Sequence, residues 1–205
     1  MIVIIDYGMG NVGSIQNMLR KIGAEAVISP DTAVISTASK LILPGVGAFD
    51  NGMKNLHDSG ILPVLEKKVM QYKTPVLGIC LGMQLFSKKS EEGTRDGLGW
   101  IDAQTVIFRF EDSTIRLKIP HMGWNHIKPA KPNPIFDDMD ESSRFYFVHS
   151  YHVVCNKPED ILATTVYGYE FVSAVNRGNI YGVQFHPEKS HKFGMKLLKN
   201  FVERA

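Results

Sequence analysis

Cys80 stands between two glycines in Gly78-Ile79-Cys80-Leu81-Gly82. This is the cysteine form of the Gly-x-Ser-x-Gly nucleophile elbow. A nucleophile thrust out of a sharp strand-to-helix turn sits in strained backbone, and side chains two residues to either side would collide there. Glycine removes the collision. The helix that follows turns the positive end of its dipole and its free N–H groups towards the sulfur. The Leu81 N–H is then one donor for a tetrahedral oxyanion. A buried cysteine between two packing glycines would share the pattern, and it is the position between an apolar strand and a helix that favours chemistry.

A base is available far along the chain, in Tyr181-Gly182-Val183-Gln184-Phe185-His186-Pro187-Glu188. Pro187 fixes its own φ and pushes His186 into an extended conformation. Residues two apart in an extended segment face the same way, so Glu188 is within reach of the imidazole. A carboxylate there selects the tautomer and stabilises the imidazolium formed when the base takes a thiol proton. The order nucleophile, base, acid differs from that of the α/β hydrolases. A third segment, Pro44-Gly45-Val46-Gly47-Ala48-Phe49, follows the apolar run Leu41-Ile42-Leu43. A glycine-flanked loop at the carboxyl end of a strand brings backbone N–H groups close to an oxyanion, although a plain turn would read the same way.

These residues need elements to carry them. Ile2-Val3-Ile4-Ile5 is a buried strand by composition. Ile15, Met18, Leu19 and Ile22 then recur at helical spacing, with Gly23 as a stop. Ala26-Val27-Ile28, Leu41-Ile42-Leu43 and Val76-Leu77-Gly78-Ile79 are further strands, and Leu62, Leu65, Val69 and Tyr72 form one stripe of a helix over Ile61 to Tyr72. A helix after Cys80 contains Met83, Leu85 and Phe86. Continuous apolar strands separated by helices predict a parallel sheet covered on both faces. The second half is strand-rich, over Thr105 to Phe110, Thr114 to Ile119, Phe145 to Val148, His152 to Cys155 and Ile161 to Tyr167. Phe171 to Asn176 and Ile180 to Phe185 flank a hairpin turn at Arg177-Gly178-Asn179, and a last helix starts near Ser190 with Phe193, Leu197, Leu198 and Phe201 on one face. A single α/β domain, residues 1–205, with a mixed, mostly parallel central sheet flanked by helices fits best.

Composition excludes other classes. The 205 residues are 44% hydrophobic and 21% charged, with a net charge of +2. Those values are ordinary for a globular domain and leave no electrostatic footprint for nucleic acid or an anionic membrane. No apolar run approaches the ~20 residues that span a bilayer, and the first residues read as a core strand rather than a signal peptide. The two cysteines, Cys80 and Cys155, are expected to stay reduced in a cytoplasmic setting, Cys155 as a strand-packing residue. A metal site built from His149, His152 and Cys155 is disfavoured, because positions three apart on a strand face opposite ways. Neither a metal nor another cofactor is expected.

Gly78-Ile79-Cys80-Leu81-Gly82-Met83-Gln84, the Pro44-Gly45-x-Gly47 loop and His186-Pro187-Glu188 together resemble the three signatures of the class I (triad) glutamine amidotransferases. Asp6-Tyr7-Gly8-Met9-Gly10-Asn11, Gly45-Val46-Gly47-Ala48-Phe49 and Pro120-His121-Met122-Gly123-Trp124-Asn125 resemble the branch that supplies ammonia for imidazole glycerol phosphate synthesis, in histidine biosynthesis. The resemblance runs from the first strand to the last helix and implies a flavodoxin-like fold. It implies that Cys80 attacks the glutamine carboxamide, His186 moves protons and Glu188 orients His186. The N–H groups of Leu81 and Gly47, or of Val46 if that peptide rotates, would hold the oxyanion. Gly45, Gln84 and the Ser150-Tyr151 backbone would hold the glutamine, and His149 is structural, since one base suffices.

Free ammonia is protonated and lost in water, so a sheltered route to an acceptor is required, and the chain has no room for a second enzyme. The implied acceptor is a cyclase subunit, a (β/α)₈ barrel, in a heterodimer. Asn11, Met122, Trp124, Asn125 and Lys189 are the candidates for its docking surface, an aromatic and a Met beside polar donors. The rival readings are a triad glutaminase serving anthranilate, pyridoxal phosphate or purine synthesis, and a non-catalytic flavodoxin-like binding module.

Overall fold

The computed structural model describes residues 1–110 and 117–205. In chain order its strands and helices are β1 (Ile2–Ile5), α1 (Val12–Lys21), β2 (Ala26–Ser29), α2 (Thr32–Thr37), β3 (Lys40–Gly45), α3 (Phe49–Asp58), α4 (Leu62–Glu66), β4 (Val76–Cys80), α5 (Leu81–Gln84) and β5 (Lys89–Ser90). There follow β6 (Ala103–Ile107), β7 (His121–His126), β8 (Lys128–Pro129), β9 (Arg144–His149), β10 (Tyr151–Cys155), β11 (Ile161–Tyr167), β12 (Tyr169–Arg177), β13 (Ile180–Val183) and α6 (His191–Arg204).

The main sheet runs β2-β1-β3-β4-β13-β12-β10-β6-β5. Its first five strands are mutually parallel, in the order of a flavodoxin-like sheet. Alternation within each strand feeds two cores. Val3, Ile5, Leu41, Leu43 and Val76 point to one side, where Phe49, Met53 and Leu56 of α3 and Leu65 of α4 cover them. Ile2, Ile4, Ile42, Leu77 and Ile79 point to the other, beneath Ile15 and Leu19 of α1 and Leu197, Leu198 and Phe201 of α6. Both faces are buried, which is why these strands are apolar without alternation.

Antiparallel strands complete the sheet. Arg177 pairs with Ile180 across a two-residue turn in which Gly178 has φ +58°, a conformation favouring glycine. Beside the main sheet, β7 and β9 form a two-stranded ribbon with His121 opposite His149 and Trp124 opposite Tyr146.

Several expected elements differ. The helix over Ile61 to Tyr72 is α only to Glu66; Lys67–Gln71 is a π turn, with Tyr72 N–H donating to Lys67 O at 3.0 Å. The wider turn carries Tyr72 off the apolar stripe; the residue is 62% exposed, with the ammonium groups of Lys67 and Lys68 near its ring. The strand near Thr105 ends at Ile107, and residues 114–116 of the segment Thr114 to Ile119 lie outside the described residues. The apolar strand before His186 stops at Val183, and the helix after Cys80 is a single turn. Helices α2 and α3 and strand β7 go beyond the elements expected from the apolar pattern.

Phe147 is fully buried between the ribbon and the sheet, stacked on His121 at 4.8 Å and edge-on to Phe185 at 5.5 Å. Phe147→Ala should lower unfolding free energy by about 3–5 kcal/mol, read from the urea midpoint.

Candidate active site

Strand β4 delivers Cys80 to the carboxyl edge of the parallel sheet. Its backbone has φ +53° and ψ −109°, a strained conformation for a residue with a side chain, worth about 1–3 kcal/mol. The flanking glycines are required by contact. A Cβ on Gly82 would lie 1.9 Å from Leu43 O, and one on Gly78 would lie 2.6 Å from Phe86 Cε2. On the β3 side, Gly45 is the register partner of Cys80. A Cβ there would meet the Tyr7 hydroxyl at 2.7 Å and Leu81 Cβ at 2.9 Å. The buried Tyr7 hydroxyl donates to Pro44 O at 2.7 Å and pins this loop. Beyond it, Gly47 has φ +110° and Val46 is 44% exposed.

The base arrives from the neighbouring parallel strand. Val183 is in register with Ile79, so His186 and Cys80 both lie just past the last paired residues. His186 is extended, with φ −104° and ψ 97°, and its N–H donates to Tyr146 O at 2.9 Å. Pro187–Lys189 is a 3₁₀ turn, so Glu188 reaches back across a turn rather than along an extended strand. Its Oε1 accepts from His186 Nδ1 at 2.8 Å, both side chains being almost wholly buried. His186 Nε2 has no conventional hydrogen-bond partner among the described residues. Burial pulls the imidazole pKa down, yet the Cys80 sulfur and the Glu188 carboxylate outweigh it and push it up to about 10. The sulfur and the carboxylate thus favour a protonated ring between them.

Cys80 and His186 open into a cavity of about 590 Å³, lined also by Val46, Gly47, Leu81, Gln84, Ser150 and Tyr151. The volume suits a small polar ligand. One lining residue escaped the sequence reading. Glu92, the acidic side chain of the lining, accepts from the Phe49 N–H at 2.9 Å, and no local motif marks it. His149, expected to be structural, belongs to a buried chain of neutral rings: Nδ1 faces Tyr151 O at 2.8 Å, and Nε2 faces His121 Nδ1 at 3.0 Å. His121 Nε2 in turn faces Asn125 Nδ2 at 3.3 Å. The Tyr151 carbonyl cannot donate, so each ring carries its proton on Nδ1 and accepts on Nε2. Burial holds His121 down to about 4 and His149 down to about 3.

The candidate docking residues separate. Met122 and Trp124 are exposed at 61% and 41%. Asn125 faces the opposite side of β7, where Nδ2 donates to Val166 O at 2.9 Å as well as to His121. Asn11 caps α1, accepting from Ser14 N–H at 3.4 Å. Lys189 borders the cavity, its ammonium 5.7 Å from the Tyr146 ring centre. Trp124 stacks on His191 at 5.5 Å. His152 bonds the Tyr169 hydroxyl at 2.9 Å instead of joining His149 and Cys155. No group of three His, Cys, Asp or Glu suited to a metal is found among the described residues. Cys155 is unpaired, and burial pushes its thiol up to about 12.

Gly82→Ala should cost about 3 kcal/mol or more, because backbone is what the new Cβ strikes, and a shifted urea midpoint or loss of soluble chain would register it. Acid should also weaken the fold through the neutral rings. Unfolded histidine takes a proton near pH 6.5, whereas folded His121 and His149 resist until about 4 and about 3. Their contribution is complete above about 6.5 and lost as pH falls towards the folded values, at no more than about 1.4 kcal/mol per pH unit each. The urea midpoint should fall from neutral pH to pH about 5, and less steeply in His149→Asn.

Residues 3–205 match the family model described as glutamine amidotransferase class-I. The chain is 60% identical over 205 residues, all of both chains, to imidazole glycerol phosphate synthase subunit HisH 2 of Methanococcus maripaludis. It is 54% identical over 203 residues, 99% of each chain, to the protein of the same name from Pseudomonas aeruginosa. Among solved structures, a glutamine amidotransferase from Thermotoga maritima superposes with a TM-score of 0.68 at 16% identity, over 99% of this chain and 96% of that one.

Proposed function

The chain belongs to the class-I glutamine amidotransferases, and we propose that it is the glutaminase subunit of an imidazole glycerol phosphate synthase. The observation that carries the reading is the meeting of Cys80 with the buried His186–Glu188 pair in one cavity. The full-length likeness to proteins named HisH supports the choice of pathway. Solved structures below a quarter identity support only the fold.

In this reading the Cys80 sulfur attacks the glutamine carboxamide carbon, and the oxyanion is held by the N–H of Leu81 with that of Gly47 or Val46. His186 gives its Nε2 proton to the departing nitrogen, so ammonia leaves and a thioester remains. It then takes a proton from water, whose oxygen attacks the thioester, and returns it to sulfur as glutamate departs. Glu188 keeps the imidazole in one orientation throughout. Gly45 is packed against Tyr7 and Leu81 rather than lining the cavity and keeps the loop close to Cys80, while Gln84, Ser150 and Tyr151 hold the substrate's amino-acid end. Glu92 adds a carboxylate for the substrate ammonium, which its place in the lining supports.

Ammonia needs a sheltered acceptor, and a cyclase subunit, a (β/α)₈ barrel, supplies it; the lyase step belongs to that partner. Met122 and Trp124 offer exposed apolar surface on the ribbon beside His186, through Tyr146. No helix among the described residues is long and apolar enough to cross a membrane, and a cytoplasmic location belongs to the same reading. The exposed Val46–Gly47 loop suits a site whose oxyanion donors are aligned when the partner docks.

Glutamate release should be followed with the cyclase subunit, with and without its nucleotide ligand. Wild type should turn over faster with the loaded partner, and Cys80→Ala should lose activity by about a thousandfold or more. Equal rates with and without the loaded partner would reject the docking requirement, and an active Cys80→Ala would reject the nucleophile.

A further inference from the structure

Gln184 belongs to none of the three motifs. Its backbone N–H donates to Ser173 O at 2.9 Å, which keeps it aligned with β12 after β13 ends. The register Val183↔Ile79 sets Gln184 beside Cys80, and registered neighbours in a parallel sheet turn their side chains to the same face. The side chain is fully buried, and its Nε2 donates to Cys80 Sγ at 3.6 Å. Its Oε1 accepts from Gln84 Nε2 at 3.1 Å, and Gln84 Nε2 also donates to Tyr151 O at 3.1 Å.

These contacts decide how both amides lie. Turning Gln184 over would set two NH₂ groups together and an oxygen against the sulfur. Turning Gln84 over would set its oxygen against two other oxygens. Each flip exchanges attraction for repulsion among buried groups. The Gln184 amide therefore presents N–H to the sulfur.

We infer that Gln184 is a further catalytic residue, whose side-chain amide holds the Cys80 sulfur in its attacking position and ties it to Gln84 in the glutamine pocket. An amide N–H favours negative charge on sulfur and cannot itself accept the proton, so it does not compete with His186. The inference rests on Cys80 being the nucleophile.

The full chain with Gln184→Met, close in volume, tests it. Iodoacetamide should alkylate Cys80 about tenfold more slowly at neutral pH than in wild type, with the pH profile displaced upward. With the loaded cyclase, kcat should fall about tenfold and KM change less, the ratio for one hydrogen bond to a charged group. A variant that melts like wild type and keeps the wild-type alkylation profile overturns the inference. Should the variant not fold, the Gln184 side-chain amide resonance in labelled wild type decides. It should move when Cys80 is capped as a mixed methyl disulfide, and an unmoved resonance overturns the inference. Failure of the underlying reading has its own signature, glutamine turnover that survives Cys80→Ala.

Discussion

Four register pairs between β4 and β13, from Val76↔Ile180 to Ile79↔Val183, decide what the sulfur of Cys80 can touch. Parallel strands end side by side, so whatever follows Val183 is delivered to the place where β4 turns into α5. Gln184 comes first, and His186 follows after the chain has bent. A slip of one residue in that pairing would turn every side chain on β13 to the opposite face. The apolar alternation feeding two cores makes such a slip costly, so the same packing that stabilises the sheet also aligns the chemistry.

Strain at the elbow is tolerated because its surroundings leave no alternative. Gly78 lies against Phe86, Gly82 against Leu43 O, and Gly45 against Tyr7 and Leu81. The backbone of Cys80 is thus enclosed by close contacts around the turn. By contrast the next loop residues, Val46 and Gly47, are exposed, beyond the point where the Tyr7 hydroxyl holds Pro44 O, so enclosed and open parts of the cavity wall adjoin one another.

Two kinds of polar chain meet at the cavity. One carries charge, from Glu188 through His186 to the sulfur. The other is neutral, from Asn125 through His121 and His149 to the Tyr151 carbonyl. Burial treats them differently because the first has a carboxylate and a sulfur to stabilise an imidazolium, whereas the second has only neutral partners.

The elbow, the loop after β3 and the His-Pro-Glu turn were legible in the order of residues, because each is a short-range device whose residue types are dictated by local sterics. The sandwiched parallel strands were legible too, since continuous apolar runs need cover on both faces. Nothing in the chain's local pattern announced that Tyr72 leaves its stripe, that Asn125 turns inward, or that Gln184 meets the sulfur. Those outcomes come from a π turn, from the pairing of β7 with β9, and from the alignment of two strands about a hundred residues apart. Long-range register leaves no local trace, so these contacts are settled only when distant segments pack together.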